Sequence, residues 1–273
     1  MTLRVSLCIA LGLCVLLPQV ASADLILYDG FDSYSGDIAG SGGGSGSWTG
    51  TWVQQLAGST LDATTGLTAG SLVTSPGAAA STKDVGTINT QYQRTFDKGT
   101  YFTPGSTVWM SVLLQRDGGQ KFGITLSNNT SDYQGAGVHA LNGTSDLVAG
   151  LQGTAGTTNA NTSFVNNEVL FAVARITIPV SGNPIVDAWV NPDPTVDLSG
   201  IAVGGGDSTV TRAYGGVTTP DRINIYSHND NAITVDEIRV ATTWAEVSPV
   251  PEPATLTLLG LGGLGLIRRR RQA

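Results

Sequence analysis

Short apolar runs separated by turns rich in glycine, serine and asparagine recur along the middle of the chain. Residues 25–28 open the series, and residues 51–54 follow a glycine-serine loop at 40–47. Residues 108–114, Val-Trp-Met-Ser-Val-Leu-Leu, are apolar at almost every position. Alternate side chains of a strand point to opposite faces, so this predicts a central strand buried on both sides. Residues 122–126 follow the turn Asp117-Gly118-Gly119. The long run at 169–178 alternates in its second half, with Arg175 and Thr177 opposing Ala174, Ile176 and Ile178. Ser181-Gly182-Asn183-Pro184 turns it into a partner strand at 185–190. Ile223 and Ile225 mark a further strand, and residues 233–240 the last. In that last strand Ile233 and Val235 share one phase while Ile238 and Val240 share the other, which predicts a β-bulge at Asp236-Glu237. Such a bulge either aims the two carboxylates at solvent or a ligand, or only bends the strand. Many short strands with polar turns predict an all-β fold, an antiparallel two-sheet sandwich over residues 24–248.

The two ends follow other patterns. Arg4, an apolar run at 5–17, Pro18 and the small-x-small triplet Ala21-Ser22-Ala23 form a signal peptide over 1–23, with cleavage by signal peptidase after Ala23. The run is shorter than the ~20 apolar residues of a membrane span. At the other end, residues 249–273 hold Pro251-Glu252-Pro253, an apolar run at 254–267 that predicts a short hydrophobic helix, and Arg268, Arg269, Arg270 and Arg271. The four arginines keep the tail cytoplasmic while the rest faces outward. This three-part pattern resembles the PEP-CTERM sorting signal of exopolysaccharide-producing Gram-negative bacteria. The resemblance implies recognition by an exosortase, cleavage near Pro251-Glu252-Pro253, and release or attachment at the cell envelope. The alternative is a simple C-terminal membrane anchor. The same tail contains Gly260-Leu261-Gly262-Gly263-Leu264-Gly265, but no strand precedes it and no βαβ pattern surrounds it, so it is not a dinucleotide-binding loop.

Composition sharpens this division. Both cysteines, Cys8 and Cys14, lie in the signal segment, which excludes disulfides and thiol chemistry from the working domain. The formal charge is −7 for all 273 residues, and without residues 1–23 and 251–273 it falls to −11. A domain this acidic lacks the basic face that displaces counterions from nucleic acid.

Candidate chemistry is sparse. The carboxylates of the middle region show no Glu-x-Asp-x-Glu strand motif, and glycosidases need a matched carboxylate pair. No Gly-x-Ser-x-Gly occurs, and two histidines without thiols do not make a zinc site. His139 reads as a strand residue and His228 as a neighbour of a hairpin loop, both structural, so no residue is assigned a catalytic role. Calcium is the one cofactor worth carrying, through loop carboxylates at Asp193, Asp197, Asp207 and Asp230. Pro192, Pro194, Val196 and Ala202 exclude an EF-hand at the first of these. Among aromatics near turns, Trp52 and Tyr214 are the candidate glycan contacts, whereas Trp109 and Trp189 belong to apolar strands.

Tyr28-Asp29-Gly30-Phe31-Asp32, Val108-Trp109-Met110-Ser111-Val112, Asp187-Ala188-Trp189-Val190-Asn191-Pro192 and Val235-Asp236-Glu237-Ile238-Arg239-Val240 with Trp244 resemble concanavalin A-like (LamG-type) jelly rolls. The resemblance implies two curved sheets of six or seven strands, with glycans bound on a concave face or at one rim, sometimes with calcium. The expected function is therefore a non-enzymatic, lectin-like module of the envelope or matrix that binds exopolysaccharide or other glycans. A structural or adhesive surface protein and a divergent polysaccharide-active enzyme are the alternatives.

Overall fold

A computed structural model of the chain describes residues 25–56, 59–81, 89–118, 121–128, 135–140, 146–151, 154, 155, 157, 158, 163, 165–213, 215–228 and 232–248. In the first half the strands are β1 (Leu25–Asp29), β2 (Ser45–Gly46), β3 (Val53–Gln54), β4 (Leu61–Thr65), β5 (Gly77–Ser81), β6 (Thr90–Thr95), β7 (Thr107–Asp117) and β8 (Phe122–Ser127). The second half adds β9 (Ala136–Ala140), β10 (Leu147–Leu151), β11 (Thr154–Ala155), β12 (Thr157–Thr158), β13 (Leu170–Thr177), β14 (Ile185–Val190), β15 (Ser208–Thr211), β16 (Arg222–Ser227) and β17 (Ala232–Ala241). A single turn of helix, α1 (Trp244–Val247), follows. The strands form two antiparallel sheets. The larger has ten strands in the order β12-β15-β14-β13-β7-β17-β1-β2, with the β4–β5 hairpin also joined to β17. The smaller has seven, in the order β11-β10-β9-β8-β16-β6-β3. This is the two-sheet sandwich of a jelly roll, and its larger sheet exceeds the expected six or seven strands because it takes on two two-residue edges and the β4–β5 hairpin.

Alternation places the core. Val108, Met110, Val112 and Leu114 of β7 face Ile124, Leu126, Ile223 and Ile225 of the smaller sheet across the main core. The opposite face of β7 is apolar as well, and it sits in a second cluster with Phe171, Trp189, Leu198, Trp244 and Val247. There Trp109 stacks on Trp189 at 5.8 Å and meets Trp244 edge-on at 5.6 Å. Helix α1, the turn Leu198–Gly200 and Leu67 cover this face, which explains a strand apolar on both sides. Arg175, on the polar side of its alternation, is buried here too. It holds Asp187, directly across the ladder, at 2.7 Å, and its guanidinium lies 5.5 and 5.2 Å from the Trp109 and Trp189 ring centroids. A second buried pair, Arg94 with Asp29 at 2.7 Å, joins the two sheets through β6 and β1. Removing one partner of such a pair costs about 3–5 kcal/mol, because a lone charge stays buried.

The bulge lies where the sequence places it. The register of β17 against β7 jumps between Asp236 and Arg239, and Glu237 has φ 52°. The other edge of β17 changes partner at the same point, from β5 at Thr234 and Val235 to β1 at 238–241. Neither carboxylate faces solvent. Asp236 accepts hydrogen bonds from the amides of Leu67 (2.8 Å) and Glu237 (2.6 Å). Glu237 accepts from the Tyr28 hydroxyl, the Ser75 amide and Arg239. The bulge thus bends the strand and fastens both ends of the β4–β5 connection, residues 66–76.

Candidate functional site

The residues singled out from the sequence scatter. Trp52 is fully buried and donates its indole N–H to Asp29 at 3.0 Å, so it offers no ring face to a sugar. This corrects the expectation: a turn position read as exposed lies under the Phe31 ring, stacked at 6.0 Å. Asp193 accepts from the Thr195 amide and hydroxyl, which hold its carboxyl below the usual range. Asp197 caps the turn Leu198–Gly200 through the amide and hydroxyl of Ser199. Asp207 accepts from the Val190 amide at 3.2 Å, and burial raises its carboxyl. Among the described residues no three His, Cys, Asp or Glu side chains gather as a metal site requires. Tyr214, Asp230, Ala21, Ala23, Pro251, Glu252, Pro253 and Arg268, Arg269, Arg270 and Arg271 lie outside the described residues.

A different set of side chains comes together on the smaller sheet. Tyr92, Ile124, Val138, Ile223 and Ile225 face the core, so the alternate positions of β6, β8, β9 and β16 share the other face. The ladder aligns them in rows. One row runs His139, Gly123, Tyr226, Gln91, and the next runs Gly137, Thr125, Asn224, Gln93. A third contains Ser127, Arg222 and Thr95. Sheet faces away from a core usually carry exposed charged residues. Here Gln91, Gln93, Thr125, Ser127, His139, Asn224 and Tyr226 are neutral hydrogen-bonding groups, and each is buried.

His139 is the focus of this face. Both its ring nitrogens, and the Thr125 hydroxyl, are buried without a hydrogen-bond partner. Leaving a buried polar group unmatched costs about 1–3 kcal/mol. Burial, aided by the charge of Lys121, pushes the His139 imidazole down to about 4, so at neutral pH it is uncharged, with one donor and one acceptor. Two glycines make its space. A Cβ on Gly150 would stand 2.6 Å from His139 Nδ1, and one on Gly123 would stand 2.7 Å from both His139 Cβ and the Tyr226 hydroxyl. The part-exposed Lys121 and His228 flank Tyr226, with Lys121 Nζ 5.9 Å from its ring centroid and the His228 ring at 5.8 Å. The sequence reading assigned no site here. The signal was the recurrence of amides and hydroxyls, rather than charges, at Gln91, Gln93 and Thr95 and at Asn224 and Tyr226.

Known proteins add information at two levels. Residues 249–271 match the PEP-CTERM protein-sorting motif. This sorting signal implies export across the inner membrane to the cell envelope or surface of a bacterium and processing by an exosortase. Comparison of the chain with curated proteins gives no match. Among solved structures, the chain is similar to an endo-β-1,4-glucuronan lyase from the fungus Trichoderma reesei, at 12% identity and TM-score 0.44 over 81% of this chain and 100% of that one. It is also similar to a carbohydrate esterase from the Shiga toxin-encoding bacteriophage phi24B, at 11% identity and TM-score 0.42 over 81% and 99%. A xylan-binding domain from Paenibacillus barcinonensis aligns at 9% identity and TM-score 0.34 over 81% and 96%. At these TM-scores none of the three bears on what this chain does.

Proposed function

We propose that residues 24–248 form a non-enzymatic, lectin-like domain that binds glycans of the exopolysaccharide matrix around a Gram-negative bacterium. The observation that carries this reading is the outer face of the smaller sheet, where neutral amides, hydroxyls and an imidazole with two unmatched nitrogens stand in rows. A sugar presents hydroxyls that both donate and accept, which Asn and Gln side chains match on each atom. Tyr226 is fully buried, and the part-exposed Lys121 and His228 beside it are the first side chains a ligand entering this face would meet. The strand positions of this face hold no carboxylate among the described residues, so the acid–base pair of a glycosidase has no place on it. Tyr214 remains a further candidate contact.

The test is a glycan array probed with the full chain and with Asn224→Ala and Gln93→Ala. Each variant is expected to lose about tenfold in affinity for the glycans that the unaltered chain retains, as when a buried hydrogen-bonding pair is broken. An empty array would leave a structural or adhesive role instead. A divergent polysaccharide-active enzyme is the other alternative, with no residue assigned to its chemistry. Release of reducing ends or unsaturated fragments from a polysaccharide would replace the binding reading with that one.

A further inference from the structure

We propose that a groove at the glycine-serine loop, centred on Arg94 and Trp48, is a second binding site, and that it takes an uncharged saccharide unit. It uses none of the side chains assigned to the outer face of the smaller sheet. Strand β2 is the last of the larger sheet and β3 the last of the smaller, and residues 47–52 cross between these two edges. Residues 42–51 wall a groove of about 360 Å³, within the ~300–1,000 Å³ of small-molecule sites. Glycine keeps this wall thin. Gly44 and Gly46 have φ of 77° and 98°, and a Cβ on them would run into the carbonyls of Tyr28 and Ile26, so the loop lies flat on β1.

Arg94 forms the floor. Its side chain is 2% exposed, and Asp29 matches its charge at 2.7 Å. Nη1 also donates to the Tyr34 hydroxyl (3.1 Å) and the Gly43 carbonyl (2.8 Å), and Nε donates to the Gly50 carbonyl at 2.9 Å. These bonds fix the guanidinium, which lies 4.2 Å from the Trp48 ring centroid. Nη2 has no hydrogen-bond partner among the described residues, and it is not one of the unmatched atoms that the fold encloses, as the His139 nitrogens are. The buried side chain thus offers two N–H donors to the groove that it lines. A Cβ on Gly42 would stand 3.9 Å from Nη2, so the lack of a side chain there keeps these donors open. The exposed Ser45 and Thr51 add hydroxyls that both donate and accept. The part-exposed Trp48 adds an indole whose own N–H is taken by the Tyr28 carbonyl. Because Asp29 neutralises Arg94, the groove presents donors without net charge, which favours a hydroxyl or ring oxygen over a carboxylate. The C–H edges of a sugar suit the apolar body of the indole.

Nitrogen–proton correlation spectra of the full chain, titrated with cellotriose, maltotriose, xylotriose and trigalacturonate, test the site. At least one of the three neutral sugars is expected to shift the Trp48 indole N–H and amides within 42–51. Gly42→Leu should weaken that sugar about tenfold by covering Nη2, and Thr51→Val about threefold by removing one hydroxyl. Asn224→Ala, on the smaller sheet, should leave it unchanged. Gly42 does not have a positive φ, and its Cβ would meet only Thr51 Cγ2, at 3.3 Å, besides Nη2. Should Gly42→Leu still fail to fold, Thr51→Val carries the test. Affinity should vary by less than about twofold between ~0.05 and ~0.5 M salt. Binding of trigalacturonate alone, weakening with salt, overturns the assignment to a neutral sugar. Unchanged affinity in both Gly42→Leu and Thr51→Val overturns the site. Shifts confined to strands β6, β8 and β16 also overturn it, while they support the outer face. If no sugar of the four shifts any signal of 42–51, the groove is not a saccharide site, and the outer face still stands or falls by the array.

Discussion

Two buried titratable residues have opposite effects on stability. Burial pushes the Asp236 carboxyl up to about 7, an effect that the amides of Leu67 and Glu237 moderate and the charge of Glu237 reinforces. An unfolded aspartate releases its proton near ~3.9, so between there and about 7 the folded chain holds more protons at this residue, and stability falls as pH rises. His139 works the other way. Its folded value of about 4 lies below the unfolded ~6.5, so stability is present above that value and is lost as pH falls toward 4. From roughly pH 4 to 6.5 the two slopes oppose each other. Urea unfolding across that range is expected to show the Asp236→Asn variant gaining stability with rising pH relative to the parent chain, and His139→Gln losing it. Each difference in slope has a ceiling of about 1.4 kcal/mol per pH unit. Profiles parallel to that of the parent would sink the argument. Neither residue's burial could be read locally. The phase flip around Asp236 revealed the bulge, but Leu67, which meets its carboxylate, is 169 positions away.

The elements that carry little apolar alternation are the ones the sequence left unread. Strand β5, Gly-Ala-Ala-Ala-Ser, has side chains too small to mark a face, and β6, Thr-Gln-Tyr-Gln-Arg-Thr, has one apolar residue among six. Both take their place from neighbours: β5 fills the edge of β17 before the bulge, and β6 pairs fully with β16. The β4–β5 connection is held in the same way. Leu67 and Ser75, near its two ends, bond Asp236 and Glu237, while Leu67 and Leu72 lie on the tryptophan cluster. Glu237→Ala removes the acceptor for Ser75, Tyr28 and Arg239 at once. The expected result is faster amide exchange and protease cleavage within 66–76, about 1–3 kcal/mol of local destabilisation, with β7 and β13 still protected. Uniform loss of protection across the sandwich would show that this connection does not open as a separate unit.

For the whole molecule, the motif at 249–271 sets the expected fate of the chain. Mass spectrometry of the mature protein should find a C-terminus near Pro251-Glu252-Pro253. Recovery of Arg268, Arg269, Arg270 and Arg271 in it would contradict processing at that point. The motif was legible from sequence because it is a local string: an acidic residue between prolines, an apolar run and an arginine cluster in fixed order. The main strands were legible for the same reason. Side chains alternate every two residues whatever the partner, so β7, β13 with its β14 hairpin, and the bulge of β17 follow from composition and spacing alone. Tertiary structure decided which of the two faces each polar residue was buried on, and beside what. It put Trp52 under Phe31, packed Arg175 against two stacked tryptophans, and aligned His139, Tyr226, Asn224 and Gln93, which come from three strands, on one buried sheet face. Alternation depends on the geometry of a single strand, whereas burial depends on segments far away in sequence that pack against it.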